Sequence, residues 1–356
     1  MSPRAHLDAL WFRGCEFLGA ETAIMGGAMS WVSERHLVAA ISNAGGFGVI
    51  ATGSMSPSAL DAEIAGTKAL TAKPFGVNLI TMHKELDALI GICLEHRVGH
   101  IVLAGGIPSA AAVRAVKDGG AKLICFAPAV VLGKRLIKSG ADALVIEGSE
   151  AGGHIGPVSL GVLAQEILPV IREVPVFVAG GIGRGEAILA FLEMGAAGAQ
   201  LGTRFAAATE SIAHENFKRA FVRANARDAV PSVQLDARFP VIPVRGLVNE
   251  GTKRFMAHQV ETIRRFEAGE ISREEAQMSI EYFWSGALRR AVIDGEVETG
   301  SVMAGQSVGM VTQVQPVAEI IRELVQQAET ALVLRQNSME IPGVIPGDDA
   351  QASAAA

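Results

Sequence analysis

The sequence contains few cysteines, no excess of positive charge and no apolar run long enough to cross a membrane. Cys15, Cys93 and Cys125 are scattered without metal-ligand spacing, so we expect reduced core thiols and neither a metal site nor a disulfide framework. Lys and Arg total 31 against 37 Asp and Glu, which leaves no broad positive field for nucleic acid or an anionic membrane. Charged residues among the first ten positions argue against a secretory signal. We therefore expect a cytoplasmic protein that acts on small molecules.

Several chemical signatures are also missing. No Gly-x-Gly-x-x-Gly opens a first strand–helix unit, and the sequence has no Walker lysine loop, no Gly-x-Ser-x-Gly elbow and no His/Cys cluster. These absences disfavour a dinucleotide fold, a serine hydrolase and a metalloenzyme. Redox chemistry in this chain would therefore depend on a bound organic cofactor.

Short β-branched apolar runs alternate with longer helical patterns along residues 21–203. Eight such runs predict a closed (β/α)8 TIM barrel instead of an open doubly wound sheet. Ser56 and Ser109, each next to a proline, are predicted helix starts. Barrel enzymes place their sites at the carboxyl ends of the strands. The predicted strands are Glu21–Ala28, Phe47–Gly53, Phe75–Ile80, His100–Gly106, Lys122–Pro128, Ala143–Gly148, Pro175–Gly181 and Ala197–Thr203.

The pattern changes after Phe205. Charged helical segments such as Ala213–Arg227 and Thr252–Glu267 follow without strong strand signals, and Gly286–Asp294 is also predicted helical. We interpret this region as an inserted or appended small helical cap. The predicted division is a barrel of residues 1–204 plus about 300–340, which ends in a helix from about Pro316 to Leu334; a cap or substrate region of about 205–299; and a flexible tail of 341–356.

Two glycine-rich strand ends predict a phosphate site. Gly180 and Gly181 follow the seventh predicted strand, and Gly202 and Thr203 end the eighth. Glycine lets backbone N–H groups approach phosphate oxygens, and a threonine hydroxyl adds a donor. Each motif alone is equally compatible with a tight turn, but their occurrence on adjacent strands favours one shared anion site.

A histidine stands in a glycine-rich loop after the sixth predicted strand. Gly152, Gly153 and Gly156 leave room for a flat ring system, and the imidazole of His154 exchanges protons near neutral pH. We predict that His154 is the general acid/base. A phosphate grip beside a glycine-lined slot matches FMN in size and charge.

Two further strand ends are expected on the same face. Asn78 is placed to hydrogen-bond an isoalloxazine edge, and Met29 to pack on the ring, although simple core packing explains Met29 equally well. Glu147 has two interpretations: it accepts hydrogen bonds from a ribityl chain, which we favour, or it pairs with Lys122 or Lys134.

Four motifs resemble the nitronate monooxygenase (2-nitropropane dioxygenase) family, which includes the flavin-dependent enoyl-ACP reductases. The likeness runs from about Ile24 to Met310. The motifs are Glu147-Gly-Ser-Glu-Ala-Gly-Gly-His154, Ala179-Gly-Gly-Ile182, Gln200-Leu-Gly-Thr-Arg-Phe205 and Ser301-Val-Met-Ala-Gly-Gln306.

The resemblance implies an FMN-containing barrel in which His154 is catalytic. Where many relatives read Gln-Gly-Gly-Met, this chain reads Gly26-Gly27-Ala28-Met29, which leaves the flavin edge at that loop undefined. The implied phosphate ligands are Gly180, Gly181, Gly202 and Thr203; the implied flavin-lining residues are Ala28, Met29, Asn78, Glu147 and Gly153, with Met303 and Gln306 approaching from the C-terminal segment.

Two reactions fit the resemblance. A nitronate monooxygenase would oxidise alkyl nitronates with O2 to carbonyl compounds and nitrite, and an enoyl-ACP reductase would use NAD(P)H to reduce an acyl thioester. We favour the first because it represents the broader family and needs fewer partners. The second would need a basic docking surface for an acidic carrier protein, and the candidate basic residues are more simply interpreted as one solvent-exposed helix face. The docking surface would consist of Lys218, Arg219, Arg223 and Arg227.

A non-catalytic barrel that binds a phosphate ligand is a third interpretation. The oligomeric state stays open, with a homodimer as one option.

Overall fold

The structure, a computed structural model, describes residues 2–240 and 243–339. The predicted tail, residues 341–356, lies outside this part of the chain. In the described part, the strands are β1 (Ile24–Gly26), β2 (Gly48–Ala51), β3 (Phe75–Ile80), β4 (His100–Ala104), β5 (Lys122–Phe126), β6 (Ala143–Glu147), β7 (Gly153–His154), β8 (Val176–Ala179), β9 (Gly198–Leu201), β10 (Ala229–Pro231) and β11 (Val244–Leu247).

Eight of these strands form one parallel sheet in the order β1-β9-β8-β6-β5-β4-β3-β2. The two ends of the sheet meet at a parallel bridge between Met25 and Phe47. There the Gly26 amide donates to the Phe47 carbonyl at 2.9 Å, and the Phe47 amide donates to the Ile24 carbonyl at 2.9 Å. The predicted eight-stranded barrel is confirmed, and each predicted strand contains one observed barrel strand.

Helices surround the barrel and continue after it. The α-helices are α1 (Pro3–Leu10), α2 (Phe12–Leu18), α3 (Arg35–Asn43), α4 (Pro57–Leu70), α5 (Leu86–Glu95), α6 (Ala110–Asp118), α7 (Val130–Ser139), α8 (Leu160–Ile167), α9 (Gly185–Glu193), α10 (Thr203–Ala206), α11 (Glu215–Arg223), α12 (Glu250–Glu267), α13 (Arg273–Tyr282), α14 (Ala287–Arg289) and α15 (Val317–Met339). Two 3-10 helices, Ala226–Asp228 and Gln306–Met310, and a π-helical turn, Arg290–Asp294, complete the described helical structure.

Serine side chains begin two of the barrel helices as predicted. The Ser56 hydroxyl accepts a hydrogen bond from the Ala59 amide, and the Ser109 hydroxyl accepts one from the Ala112 amide. Each bond satisfies an amide that has no partner in the first helical turn. Helix α15 starts at Val317, close to the predicted start at Pro316.

The region after the barrel contains strands that the sequence did not predict. Strand β11 pairs antiparallel with β10 on one side and with β7 on the other. These strands have two to four residues, too few for an alternating pattern, and their pairing depends on contacts distant in the sequence. The expectation of a region without strands is therefore corrected, whereas helices α11, α12 and α14 lie where helical segments were predicted.

Helices α12 and α13 enclose a small hydrophobic cluster separate from the barrel core. Phe239, Phe255, Ala276 and Ile280 are its buried members, each at most 2% exposed. Aromatic contacts complete it, including an edge-on contact of Phe239 with Phe266 at 5.2 Å between ring centroids. This part of the chain thus buries apolar surface of its own.

A buried histidine lies at the amino-terminal end of β4. The His100 ring contacts Phe17 and Phe47 edge-on, at 5.3 and 4.9 Å between centroids. Its Nε2 lies 2.8 Å from the Phe17 carbonyl oxygen, to which it donates, and Nδ1 has no partner among the described residues. Burial lowers the pKa of His100 to about 4. The neutral ring is therefore part of the folded state.

We predict that His100 makes the protein less stable in mild acid. Because its folded pKa is below the unfolded value of about 6.5, the unfolded chain takes up the proton first, and stability is lost as the pH falls from about 6.5 towards about 4. The contribution is about 1.6 kcal/mol of unfolding free energy between pH 6.5 and pH 5. Denaturant unfolding of the parent protein and of His100→Gln at both pH values measures it.

The absolute stability of His100→Gln is not the readout, because the replacement also changes packing. The readout is the difference between the two pH values, which we expect to be smaller in His100→Gln than in the parent. His36→Gln, at an exposed histidine, is the control and should keep the parental difference. An equal pH dependence in all three proteins would contradict the assignment.

Candidate functional site

A cavity of about 710 Å³ opens at the carboxyl ends of the barrel strands. All predicted site residues except Gln306 line it, including His154 and Glu147. Gln306 begins a 3-10 helix between the lining residues Gly305 and Ser307, and its amide donates to the Glu150 carbonyl at 2.9 Å. The predicted residues that line the cavity are Ala28, Met29, Asn78, Glu147, Gly153, His154, Gly180, Gly181, Gly202, Thr203 and Met303.

The two glycine turns lie side by side because β8 and β9 are neighbours in the sheet. Gly180 and Gly181 have φ angles of +94° and +72°, in the left-handed region that favours glycine. A Cβ atom on Gly180 would lie 2.8 Å from the Gly148 carbonyl oxygen. The turn therefore requires glycine both for its backbone conformation and for space.

Thr203 begins α10, directly after Gly202. Its side chain is buried, and its hydroxyl oxygen accepts a hydrogen bond from the Gly305 amide at 2.9 Å. The hydroxyl hydrogen stays available for donation. This arrangement fits an anionic oxygen at the position that the sequence predicts, and it also ties the turn to the C-terminal segment.

His154 lies at the cavity on a loop held by strand pairing. Strand β7, which contains it, pairs with β11 so that His154 faces Val244, and the Ile155 amide donates to the Pro243 carbonyl at 3.0 Å. Within the described residues, no hydrogen-bond partner is found for the imidazole. Desolvation at the cavity lowers the pKa of His154 below its ordinary value of 6.5, although the residue keeps an exposed surface. The shift favours the neutral ring, in which one nitrogen donates and one accepts.

Glu147 ends β6 and lines the cavity, and its carboxyl group has no hydrogen-bond partner among the described residues. Among the residues described, neither Lys122 nor Lys134 forms an ion pair with it; the Lys122 ammonium donates to the Phe17 carbonyl. Burial raises the pKa of Glu147 to about 7. The ion-pair interpretation is therefore wrong, and the group is left to bind a polar part of a ligand.

The loop after β1 forms another wall and is folded by Ser33. The Ser33 hydroxyl donates to the Gly27 carbonyl at 2.8 Å and accepts from the Met29 amide at 3.0 Å. Met29 lies beside the phosphate turn, since a Cβ on Gly202 would be 3.5 Å from its sulfur. The sequence carries no signal for this bracing role of Ser33, and sequence reasoning missed it.

Among the remaining lining residues, sequence reasoning had singled out Gly152, but most are apolar side chains that it did not identify. Phe217 and Leu288 come from α11 and α14, outside the barrel. Apolar residues in helices carry no signal that separates a cavity wall from core packing. Those from the barrel half of the chain include Val49, Ile80, Met82, Val102 and Phe126.

The basic docking surface considered for a carrier protein is only partly exposed. Lys218 is 4% exposed, and its ammonium donates to the Thr209 carbonyl. It therefore cannot contribute to a surface. Arg219, Arg223 and Arg227 are exposed.

The described residues contain neither a metal-binding cluster nor a membrane-spanning helix. No group of three or more His, Cys, Asp or Glu side chains is arranged to hold a metal ion there. Across residues 2–240 and 243–339, no helix combines the length and apolar character of a membrane span.

The closed parallel barrel gathers a histidine and a carboxyl group, neither with a hydrogen-bond partner among the described residues, beside two glycine turns, an arrangement typical of an α/β-barrel enzyme. The chain belongs to the nitronate monooxygenase family: the sequence model of that family matches residues 14–90 and 86–327. It is an oxidoreductase of this family, whose members are typically flavin-dependent.

Individual relatives divide between different reactions. The structure of FabK from Thermotoga maritima is 33% identical with a TM-score of 0.82, over 92% of this chain and 98% of that one. A (3aS,4S,5R,7aS)-5-hydroxy-7a-methyl-1-oxo-octahydro-1H-indene-4-carboxyl-CoA dehydrogenase from Mycobacterium tuberculosis is 29% identical, over 89% of this chain and 96% of the relative. A nitronate monooxygenase from Paraburkholderia phytofirmans is 28% identical, over 88% and 94%.

We predict that Gly180→Ala weakens both the fold and cofactor binding. The left-handed backbone and the close Gly148 oxygen together should lower the unfolding free energy by about 2 kcal/mol. Thermal unfolding and the flavin content of the purified protein measure the two effects. Gly161→Ala is the matched control, because a Cβ there meets nothing within 4 Å and the residue lies in α8. Parental flavin content and stability in Gly180→Ala would contradict the assignment.

Proposed function

We propose that the protein is an FMN-dependent oxidoreductase that reduces an α,β-unsaturated acyl thioester at the expense of NAD(P)H. The observation that carries the proposal is the similarity to FabK, an enoyl-ACP reductase, over nearly the whole chain. The dehydrogenase relative from Mycobacterium tuberculosis also has a thioester in its name. This order reverses the preference drawn from the motifs, and nitronate oxidation becomes the second candidate.

The residues at the cavity fit FMN. The left-handed Gly180–Gly181 turn, with no room for side chains, and the Thr203 hydroxyl would hold the phosphate. Glu147, for which the described residues offer no partner, would accept hydrogen bonds from the ribityl chain, and Asn78 would contact the ring. When bound, FMN supplies hydride and electron transfer, which this chain's own side chains do not provide.

His154 would act on the thioester. During reduction, negative charge develops on the thioester carbonyl oxygen, and a neutral imidazole can donate a hydrogen bond to that oxygen. The same N–H group can supply the proton that the α-carbon needs. The overall balance is NAD(P)H, one proton and an enoyl thioester giving NAD(P)⁺ and the saturated thioester.

Apolar cavity walls support an acyl substrate. Ile80, Phe126 and Leu288 provide hydrophobic surface along the cavity, which favours a hydrocarbon chain and excludes water from the reacting carbons. Since Leu288 lies in the region after the barrel, that region would help to select the substrate.

Nitronate oxidation with O2 is the second candidate. The description of the family and the relative from Paraburkholderia phytofirmans support it. In this reaction His154 would hydrogen-bond the nitronate oxygens, and no nucleotide would be needed. Membership of an oxidoreductase family disfavours the third interpretation, a non-catalytic barrel that binds a phosphate ligand.

Anaerobic stopped-flow spectroscopy separates the two candidates. We expect NADH or NADPH to bleach the oxidised flavin band and crotonyl-CoA to restore it, because the thioester accepts the reducing equivalents. Propyl nitronate alone should leave the band unchanged. Bleaching by nitronate without bleaching by either nucleotide would select the second candidate, and a colourless protein that FMN does not reconstitute would remove both.

We predict that His154→Ala retains flavin but lowers kcat by about 100-fold or more, the scale of a lost acid/base group. His154→Gln keeps an N–H donor but cannot transfer a proton, so any activity above that of His154→Ala measures hydrogen bonding alone. His36→Ala, at an exposed histidine, is the control. Unchanged turnover in His154→Ala would contradict a catalytic role.

A further inference from the structure

A buried arginine outside the barrel has backbone carbonyls as its hydrogen-bond partners. Arg245, in β11, is 7% exposed. Its Nε donates to the Ser149 carbonyl at 2.9 Å, and Nη1 donates to the Ala229 carbonyl at 2.5 Å. In the described part of the chain, no carboxylate forms an ion pair with it; burial lowers its pKa, and the nearby Glu150 carboxylate offsets only part of that effect. Burying a cation without a salt bridge is costly, so its hydrogen bonds require an explanation.

These two hydrogen bonds join the histidine loop to the strands outside the barrel. Ser149 lies at the start of that loop, residues 148–156, whereas Ala229 begins β10. The backbone of Arg245 pairs with Gly153 on one side and Pro231 on the other. Arg245 therefore holds the beginning of the loop with its side chain and the segment next to His154 with its main chain.

The histidine loop needs such a restraint. It contains Gly148, Gly152, Gly153 and Gly156, and glycine gives a loop its greatest conformational freedom. The imidazole of His154 has no hydrogen-bond partner of its own among the described residues. Its direction is therefore set by the backbone, and the backbone is fixed through β11.

The same strand also places Met303. Gly246, next to Arg245, forms an antiparallel bridge with Met303, and the Leu247 amide donates to the Val302 carbonyl at 2.9 Å. His154 and Met303 both line the cavity. Strand β11 therefore supports two walls of the cavity, and Arg245 is the buried charged residue of that strand.

We infer that Arg245 is a positioning residue: its guanidinium fixes the loop of residues 148–156 so that the His154 imidazole faces the reacting atoms. The inference rests on the proposed function, because it assigns the catalytic proton and hydrogen bond to His154. Arg245 itself does not contact the substrate.

The test uses Arg245→Lys in the flavin-loaded enzyme, alone and combined with His154→Ala. A lysine ammonium cannot reproduce the fork geometry that serves both carbonyls. We expect kcat to fall about tenfold or more from misplacement of the loop, with KM nearly unchanged. In the His154→Ala background the same replacement should cause almost no further loss, because residues that act as a unit are non-additive.

Hydrogen exchange provides a readout that does not depend on activity. Deuterium uptake measured by mass spectrometry should rise in peptides that cover residues 148–156 of Arg245→Lys and stay unchanged in the barrel strands. Arg35→Lys is the matched control: Arg35 donates to the buried Glu63 carboxylate, away from this loop, and its replacement should leave uptake in the loop unchanged. Arg245→Met extends the series by removing both donors.

The outcomes separate the two proposals. Normal turnover in His154→Ala would overturn both the role of the histidine and the inference that depends on it. Slow turnover in His154→Ala, together with rate losses that multiply in the double variant, would leave the proposed function intact and overturn the positioning role. Exchange that rises throughout the barrel would likewise overturn it, because that result indicates a purely structural arginine.

Discussion

Closure of the parallel sheet between β1 and β2 is the constraint on which the site depends. The hydrogen bonds around Met25 and Phe47 join the last two edges, and a closed barrel of parallel strands directs all its carboxyl ends to one side. Loops that are far apart in the sequence therefore meet around one cavity. The glycine turns after β8 and β9 become neighbours for the same reason, since sheet order and not sequence distance decides which turns can share a ligand.

The barrel and most of the cavity were predictable because their signals are local. A short apolar run can be recognised from a few consecutive residues. A glycine at a strand end indicates a backbone conformation that other residues adopt less readily. The short strands β10 and β11 were missed because three and four residues are too few to show an alternating pattern, and because β11 also pairs with β7, far away in the sequence. Arg245 was missed with them: in the sequence it is one of many arginines, and its hydrogen bonds to carbonyls appear only in three dimensions.

The cavity is lined by polar groups that lack hydrogen-bond partners among the described residues. Glu147 has a buried carboxyl group whose pKa is raised to about 7, and His154 has an imidazole without a described partner. Both conditions cost stability and are typical of places where a ligand completes the hydrogen bonding. His100 has a shifted pKa as well, but it is packed between Phe17 and Phe47 at the opposite end of the barrel. A perturbed pKa therefore indicates function only together with access to a cavity.

The antiparallel pairing of β11 with β7 makes the alignment of the histidine depend on strand register. Side chains alternate between the two faces of a strand, so a slip of β11 by one residue against β7 would turn Arg245 to the opposite face and bring a new neighbour against His154. A change of register outside the barrel can thus change the orientation of the His154 ring while every barrel strand stays as it is. A cavity wall of this kind can diverge between relatives without any cost to the stability of the barrel core.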